Sequence, residues 1–194
     1  MLVRIVPRPP RIPLAILTTI SLAGCHERQQ SKIRWREKKS TALHVGTHAI
    51  PIPAGWRDWA ELDVDELRPG PGMFGMTPEN MTDGALRTNI IITQATLADG
   101  EVDPRNPPCE AMAKVVASEN RAKVTDVATI PVAGDIGCRW TYVSDEARVI
   151  QRVRFHGNEE LVVQWTRMRS LSDAEATGDQ RVWRGVLTEL GFKE

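Results

Sequence analysis

The stretch that most constrains the fold of this 194-residue chain is residues 123–168, which read as a run of antiparallel strands. In Asp135–Val143, Ile136, Cys138, Trp140 and Tyr142 alternate with Gly137, Arg139 and Thr141, the period of two that marks a strand with one apolar face. Two further strands are expected at about residues 147–155 and 161–168, and their register decides which side chains share a face. A two-residue turn at Gly157 and Asn158 would set Phe155 opposite Glu160 and Arg154 opposite Leu161, mixing the faces. A five-residue loop at 156–160 instead aligns Phe155 with Leu161 and Val153 with Val163, and leaves Val149 and Trp165 on that same face. The longer loop is the expectation, because a one-residue slip moves an entire apolar set to the other side of a sheet. The opposite face then carries Arg148, Arg152 and Arg154 with Gln164 and Thr166, beside Ile150, Val162 and Met168. Such a row could donate to a carboxylate or phosphate ligand. An outer face paired with local acids and partly covered by another element is the preferred reading.

The elements around this run follow from local signals. Residues 88–97 are rich in β-branched side chains and predict a buried strand. Pro107 and Pro108 introduce a helix over Cys109–Glu119, with Cys109, Met112 and Val116 on one face and Asn120 at its stop. The chain ends in an amphipathic helix, where Ser172 and Glu175 have capping-box spacing. Ala176, Trp183, Val186, Leu187 and Leu190 recur at helical intervals, and Gly191 with Phe192 supplies a Schellman-type end. This helix should cover the apolar sheet face. Residues 42–56 predict a short strand or hairpin closed by the turn from Pro51 to Gly55. His44 and His48 would share a face of a continuous strand, but a metal site needs a third ligand and none offers itself. Asp58, Glu61, Asp63, Asp65 and Glu66 read as a solvated acidic edge. Residues 69–84 hold prolines and glycines at a density that predicts a long surface loop. Its Met73, Phe74, Met76 and Met81 form either an adaptable contact surface for a partner or lipid, or a lid folded back on the core; the lid is preferred.

The amino terminus speaks to location. Arg4, Arg8 and Arg11, with no acid among them, precede an apolar run at 14–24, and that run closes on Leu22, Ala23, Gly24 and Cys25. Basic, apolar, small is the order of a secretory signal peptide, and the run is too short to span a bilayer as a helix. The ending resembles a bacterial lipoprotein lipobox. The resemblance implies cleavage before Cys25 and acylation of that cysteine with diacylglyceryl and, at the new amino group, a palmitate-type chain. Two or three acyl chains anchor stably where one does not. The domains then run 1–24 signal peptide, 25–41 lipidated cysteine and basic tether, and 42–194 a single globular domain. With Cys25 lipidated, Cys109 and Cys138 remain as a pair, and outside the cytoplasm such a pair is expected as a structural disulfide. Residues 26–41 carry six basic side chains against two acidic ones. Beyond Thr41 stand 16 basic against 23 acidic residues, so a positive tether leads to an acidic globule. An acidic globule argues against nucleic acid as partner.

The order of elements is strand with a Pro-x-Gly-Trp turn, buried strand, helix, four strands and terminal helix. Over residues 42–194 it resembles the PsbP-like α/β/α sandwich, which includes DcrB-type bacterial lipoproteins. The resemblance rests on residues 50–56, residues 88–97, the strand run ending near Met168 and the Leu190-Gly191-Phe192 helix end. It implies an α+β fold, an antiparallel sheet flanked by helices, in a non-catalytic domain that binds proteins or sometimes small ligands. The expectation is a membrane-anchored accessory domain of the bacterial cell envelope, facing the periplasm, with another envelope protein as partner and no cofactor or metal. His26 stands where an aspartate would favour inner-membrane retention, so the outer membrane is favoured. The alternative is a lipoprotein that binds or senses a lipid or small molecule. More remote is a hydrolase, since no Gly-x-Ser-x-Gly elbow, phosphate loop or His-Glu-x-x-His helix occurs.

Overall fold

A computed structural model describes residues 35–37, 39–62, 69–80 and 88–192, with the side chains of 173–176 excepted. Cys25 and the signal segment, the acids Asp63, Asp65 and Glu66, Met81, and the Glu175 half of the capping pair lie outside the described residues. The first elements are a hairpin of β1 (Ala42–Val45) and β2 (His48–Pro51), a short β3 (Trp56–Asp58) and a 3₁₀ turn at Trp59–Glu61. Next come β4 (Met73–Pro78), β5 (Thr88–Thr96), α1 (Cys109–Glu119), β6 (Lys123–Val132), β7 (Asp135–Val143), β8 (Ala147–His156), β9 (Glu159–Met168) and α2 (Asp173–Glu189). Strands β3 to β9 form one antiparallel sheet of seven in the order β3-β4-β5-β9-β8-β7-β6, while β1 and β2 pair only with each other. This is the expected α+β architecture, an antiparallel sheet between helices.

Both faces of the sheet are buried. On one, α1 lays Cys109, Met112, Ala113, Val116 and Ala117 against Cys138, Trp140 and Tyr142 of β7 and Val149, Val153 and Phe155 of β8. Cys109 and Cys138 are joined there as a disulfide, their Cα atoms 5.4 Å apart. On the other face, Trp183, Val186, Leu187 and Leu190 of α2 cover Ile90 and Ile92 of β5 and Leu161, Val163 and Trp165 of β9. The Trp165 and Trp183 rings stack with centroids 5.9 Å apart. The β1–β2 hairpin adds Leu43, Val45 and Ile50 to the same layer. The α2 terminus is a Schellman end, with Phe192 N–H donating to Leu187 O and Gly191 N–H to Thr188 O while Gly191 sits at φ +79°.

Two expectations are corrected. The β8–β9 register is the one with the two-residue turn: Phe155 faces Glu160, Arg154 faces Leu161 and Val153 faces Val162. Val149, Val153 and Phe155 therefore point to α1, whereas Leu161, Val163 and Trp165 point to α2. The premise that one face is polar fails because each face has its own helix, so apolar side chains on neighbouring strands need not coincide. Gly157, at φ +55°, supplies the left-handed residue that the tight turn requires. A polar ladder pins this register on the α1 face. Trp140 Nε1 donates to Gln151 Oε1, Gln151 Nε2 to Gln164 Oε1 and Gln164 Nε2 to Thr166 Oγ1, the first two across register-matched pairs.

The second correction concerns residues 69–84. Met73–Pro78 is not surface loop but strand β4, paired with both β3 and β5. Met76 is fully buried in the α2-side core, with Phe74 packed against it, and Met73 packs beside Trp59, Leu62 and Ile91 on the other face. Gly75 is what lets this strand exist under the Trp59 indole, since a Cβ there would stand 2.9 Å from the ring. A glycine-rich segment reads as loop by composition, yet here glycine makes room for a tryptophan.

Candidate functional site

At its amino-terminal end the globule holds residues 35–37, 39 and 40 near β3 through one buried cation. The Arg57 guanidinium donates from Nε to Glu61, from Nη1 to Glu79 at 3.3 Å and from Nη2 to the Arg36 carbonyl at 2.9 Å, and lies over the Trp35 ring at 5.1 Å. Trp35 also bridges to Leu62 and donates from Nε1 to the Glu79 carbonyl, while Lys39 pairs with Glu79. Ser40 N–H donates to Glu61. Burial pushes the Glu61 carboxyl up, but the hydrogen bonds from Ser40 and Arg57 outweigh it and hold the group below the ordinary carboxylate range. The acidic edge expected here is thus not wholly solvated: Glu61 is buried and Asp58 accepts from Ala60 N–H as a cap.

The sequence-derived cation row takes a different place from the one expected. Arg148, Arg152 and Arg154 share the α2 face of β8 with Ile150. Arg148 is exposed beside Arg167 of β9, and Arg152 is half-buried and donates to the Gln151 carbonyl. Arg154 is half-buried and lines a recess of about 220 Å³ between the hairpin tip and the ends of β5, β8 and β9. Its Nη1 donates to the Leu190 carbonyl at the end of α2, 3.3 Å away. Around it stand Gln94 of β5, His156 of β8, Glu159 of β9, and Thr47 and His48 of the hairpin. Alternation on β8 puts His156 on the same face as Arg154, and the Asp135 carboxylate, 3.0 Å from its Nδ1, orients the ring. Gly46 at φ +57° turns the hairpin tip toward the Gln94 side chain.

The recess was not legible as a unit. His44 and His48 fall on two strands of a hairpin rather than one, and His48 joins the recess while His44 points to solvent. No motif marks Gln94 or His156 in the sequence. The available signal was the Arg154-x-His156 spacing, two donors on one face of one strand. Met76 is buried in the core, and Met73 and Phe74 are half-buried on strand β4, each packed against a core cluster. Among the described residues no group of three or more His, Cys, Asp and Glu side chains could hold a metal ion.

A second carboxyl, Glu160, also lines the recess. Glu160 is 2% exposed and its Oε1 has no hydrogen-bond partner. Burial first, and then the nearby Glu101 charge, push its pKa up to about 7.

Neither a family model nor a curated protein matches the chain. Among solved structures it is similar to the cyanobacterial PsbP protein, CyanoP, of Synechocystis sp. PCC 6803, at 12% identity and TM-score 0.49, over 84% of this chain and 96% of that one. It is also similar to the Ran-binding protein Mog1p of Saccharomyces cerevisiae, at 12% identity and TM-score 0.44, over 81% of this chain and 92% of that one. Likeness of this degree does not extend to activity.

Proposed function

We propose that the chain is a lipid-anchored, non-catalytic interaction domain of a bacterial cell envelope, held on a membrane by Cys25 and presenting its globule to a partner protein in the periplasm. The observation that carries the reading is the amino-terminal order of Arg4, Arg8 and Arg11, an apolar run, and Leu22-Ala23-Gly24-Cys25. The Cys109–Cys138 disulfide is in keeping with an oxidising compartment. The docked Trp35 shortens the free tether. Only residues 26–34 separate the anchor cysteine from the globule, and a chain of that length reaches about 30 Å at full extension.

The test is fractionation and crosslinking in intact bacteria. Wild type is expected in the membrane pellet after a high-salt wash, with acyl chains on Cys25 by mass spectrometry and one envelope protein enriched among its crosslinks. Cys25→Ala should be soluble. Persistence of Cys25→Ala in the washed membrane would refute the anchor, and an absence of any enriched crosslink at native expression would refute the interaction role.

A further inference from the structure

We infer that the recess between the β1–β2 hairpin tip and the ends of β5, β8 and β9 is a binding site for a small anion, a ligand bearing a carboxylate or phosphate group. The carrying observation is a half-buried cation in a concave site that, among the described residues, has no carboxylate within ion-pair distance. The buried Arg57 is paired with two carboxylates, and Arg139 with Asp126. Among the described residues Arg154 makes no ion pair, and it donates instead to a neutral carbonyl, Leu190 O. That bond holds one arm of the guanidinium and leaves the remaining donors of the fork for a ligand. A planar fork of this kind matches carboxylate and phosphate oxygens.

The surroundings complete the donor set. Gln94 supplies a carboxamide, Thr47 a hydroxyl, and His48 and His156 their imidazoles, from three separate parts of the chain. His156 keeps one ring nitrogen on Asp135 and has the other for the recess. The volume, about 220 Å³, suits a ligand of a few heavy atoms and falls below the usual size of a drug-like or lipid-chain pocket. Buried Glu160 also lines the recess, and Glu159, exposed on the rim, opposes an anion there. It gives the site a handle of opposite sign to Arg154.

The proposal is independent of the anchor. Isothermal titration of the full-length chain in detergent would use inorganic phosphate and succinate for free anions and a short-chain phosphatidic acid for a lipid headgroup. Saturable binding of at least one probe is expected. Preference for the phosphatidic acid over both free anions supports a headgroup source, and the reverse a free solute. Arg154→Gln should weaken binding about tenfold or more, the scale of a lost charge-assisted hydrogen bond. Glu159→Gln should tighten it about two- to threefold, and Arg148→Gln, on the same strand but outside the recess, should leave it unchanged. Should Arg154→Gln misfold, Thr47→Phe at the exposed hairpin tip plugs the recess without touching the guanidinium, and must abolish binding. Affinities weaker than about 10 mM for every probe, or binding insensitive to Thr47→Phe, would overturn the assignment.

Discussion

Glu160 offers the sharpest test of the energetics. It sits on β9 opposite Phe155 of β8 and Ala95 of β5, is 2% exposed, and has an Oε1 without a partner. Burial, with a further push from Glu101, raises its pKa from 4.5 to about 7. The sign follows from proton counting. Below about pH 4.5 the carboxyl is protonated in both the folded and unfolded chain, and folding is unaffected. Between about 4.5 and 7 the unfolded chain releases the proton while the folded chain keeps it, so the native state binds more protons and stability falls as pH rises. Above 7 both states are ionised and the penalty is complete. A shift of this size corresponds to roughly 3 kcal/mol at full development. Glu160→Gln keeps the shape of the acid and cannot ionise. Urea unfolding of the oxidised protein, followed by tryptophan fluorescence at pH 4.5, 6, 7 and 8, is the assay. The variant should match or fall slightly below the parent at pH 4.5 and exceed it by up to about 3 kcal/mol at pH 8. Glu101→Gln should reduce the parent's decline in part, since its charge is the lesser cause. Parent and Glu160→Gln curves that run parallel across the whole range would refute the reasoning.

Two further outcomes follow from the same structure. Replacing both Cys109 and Cys138 by serine opens a cross-link between residues 29 apart, and the urea midpoint should fall by the equivalent of roughly 3 to 4 kcal/mol, a loss that reductant reproduces in the parent. Arg57→Met leaves Glu61 buried without its guanidinium and should cost about 3–5 kcal/mol in chemical denaturation, whereas adding Glu61→Leu to it should recover most of that loss. Equal stability of the single and double variants would contradict this view of the pair.

The parts of the fold visible in the sequence were those where one local signal acted alone. Pro107 and Pro108 ahead of Cys109–Glu119, and Gly191 with Phe192 after α2, set helix ends by backbone chemistry that no distant contact overrides. The alternation of Cys138, Trp140 and Tyr142 marked the one apolar face of β7, the face that α1 covers, because β7 lies near the sheet edge and its other side carries Gly137, Arg139 and Thr141. Strands β8 and β9 lie further in, and both sides of them are covered. There an apolar residue says only that it is inside, and not under which helix, so hydrophobic matching chose the wrong register. What fixes it is polar: Gln151 must meet Trp140 on one side and Gln164 on the other, and a slip of one residue would leave the buried Gln151 amide unpaired. In a sheet buried on both faces, the buried polar side chains carry more register information than the apolar ones.

The same principle bears on the recess. Its lining comes from residues 45–48, 94, 154, 156 and 159–161, brought together only when the hairpin folds over the ends of β5, β9 and β8. No spacing rule joins positions so far apart. Arg148, Arg152 and Arg154 looked alike in the sequence because strand alternation gave all three one face. The structure separates them by cover: solvent over Arg148, packing around Arg152, and around Arg154 a concave surface with the α2 terminus on one side and the hairpin on the other. A guanidinium in water is already solvated and gains little from an anion, whereas one held in a recess by a single carbonyl has donors that water satisfies less well. Ligand selectivity on this strand is therefore a property of the hairpin that covers it. Shortening that hairpin should abolish anion binding while the seven-stranded sheet, with which β1 and β2 form no ladder, keeps its pairing.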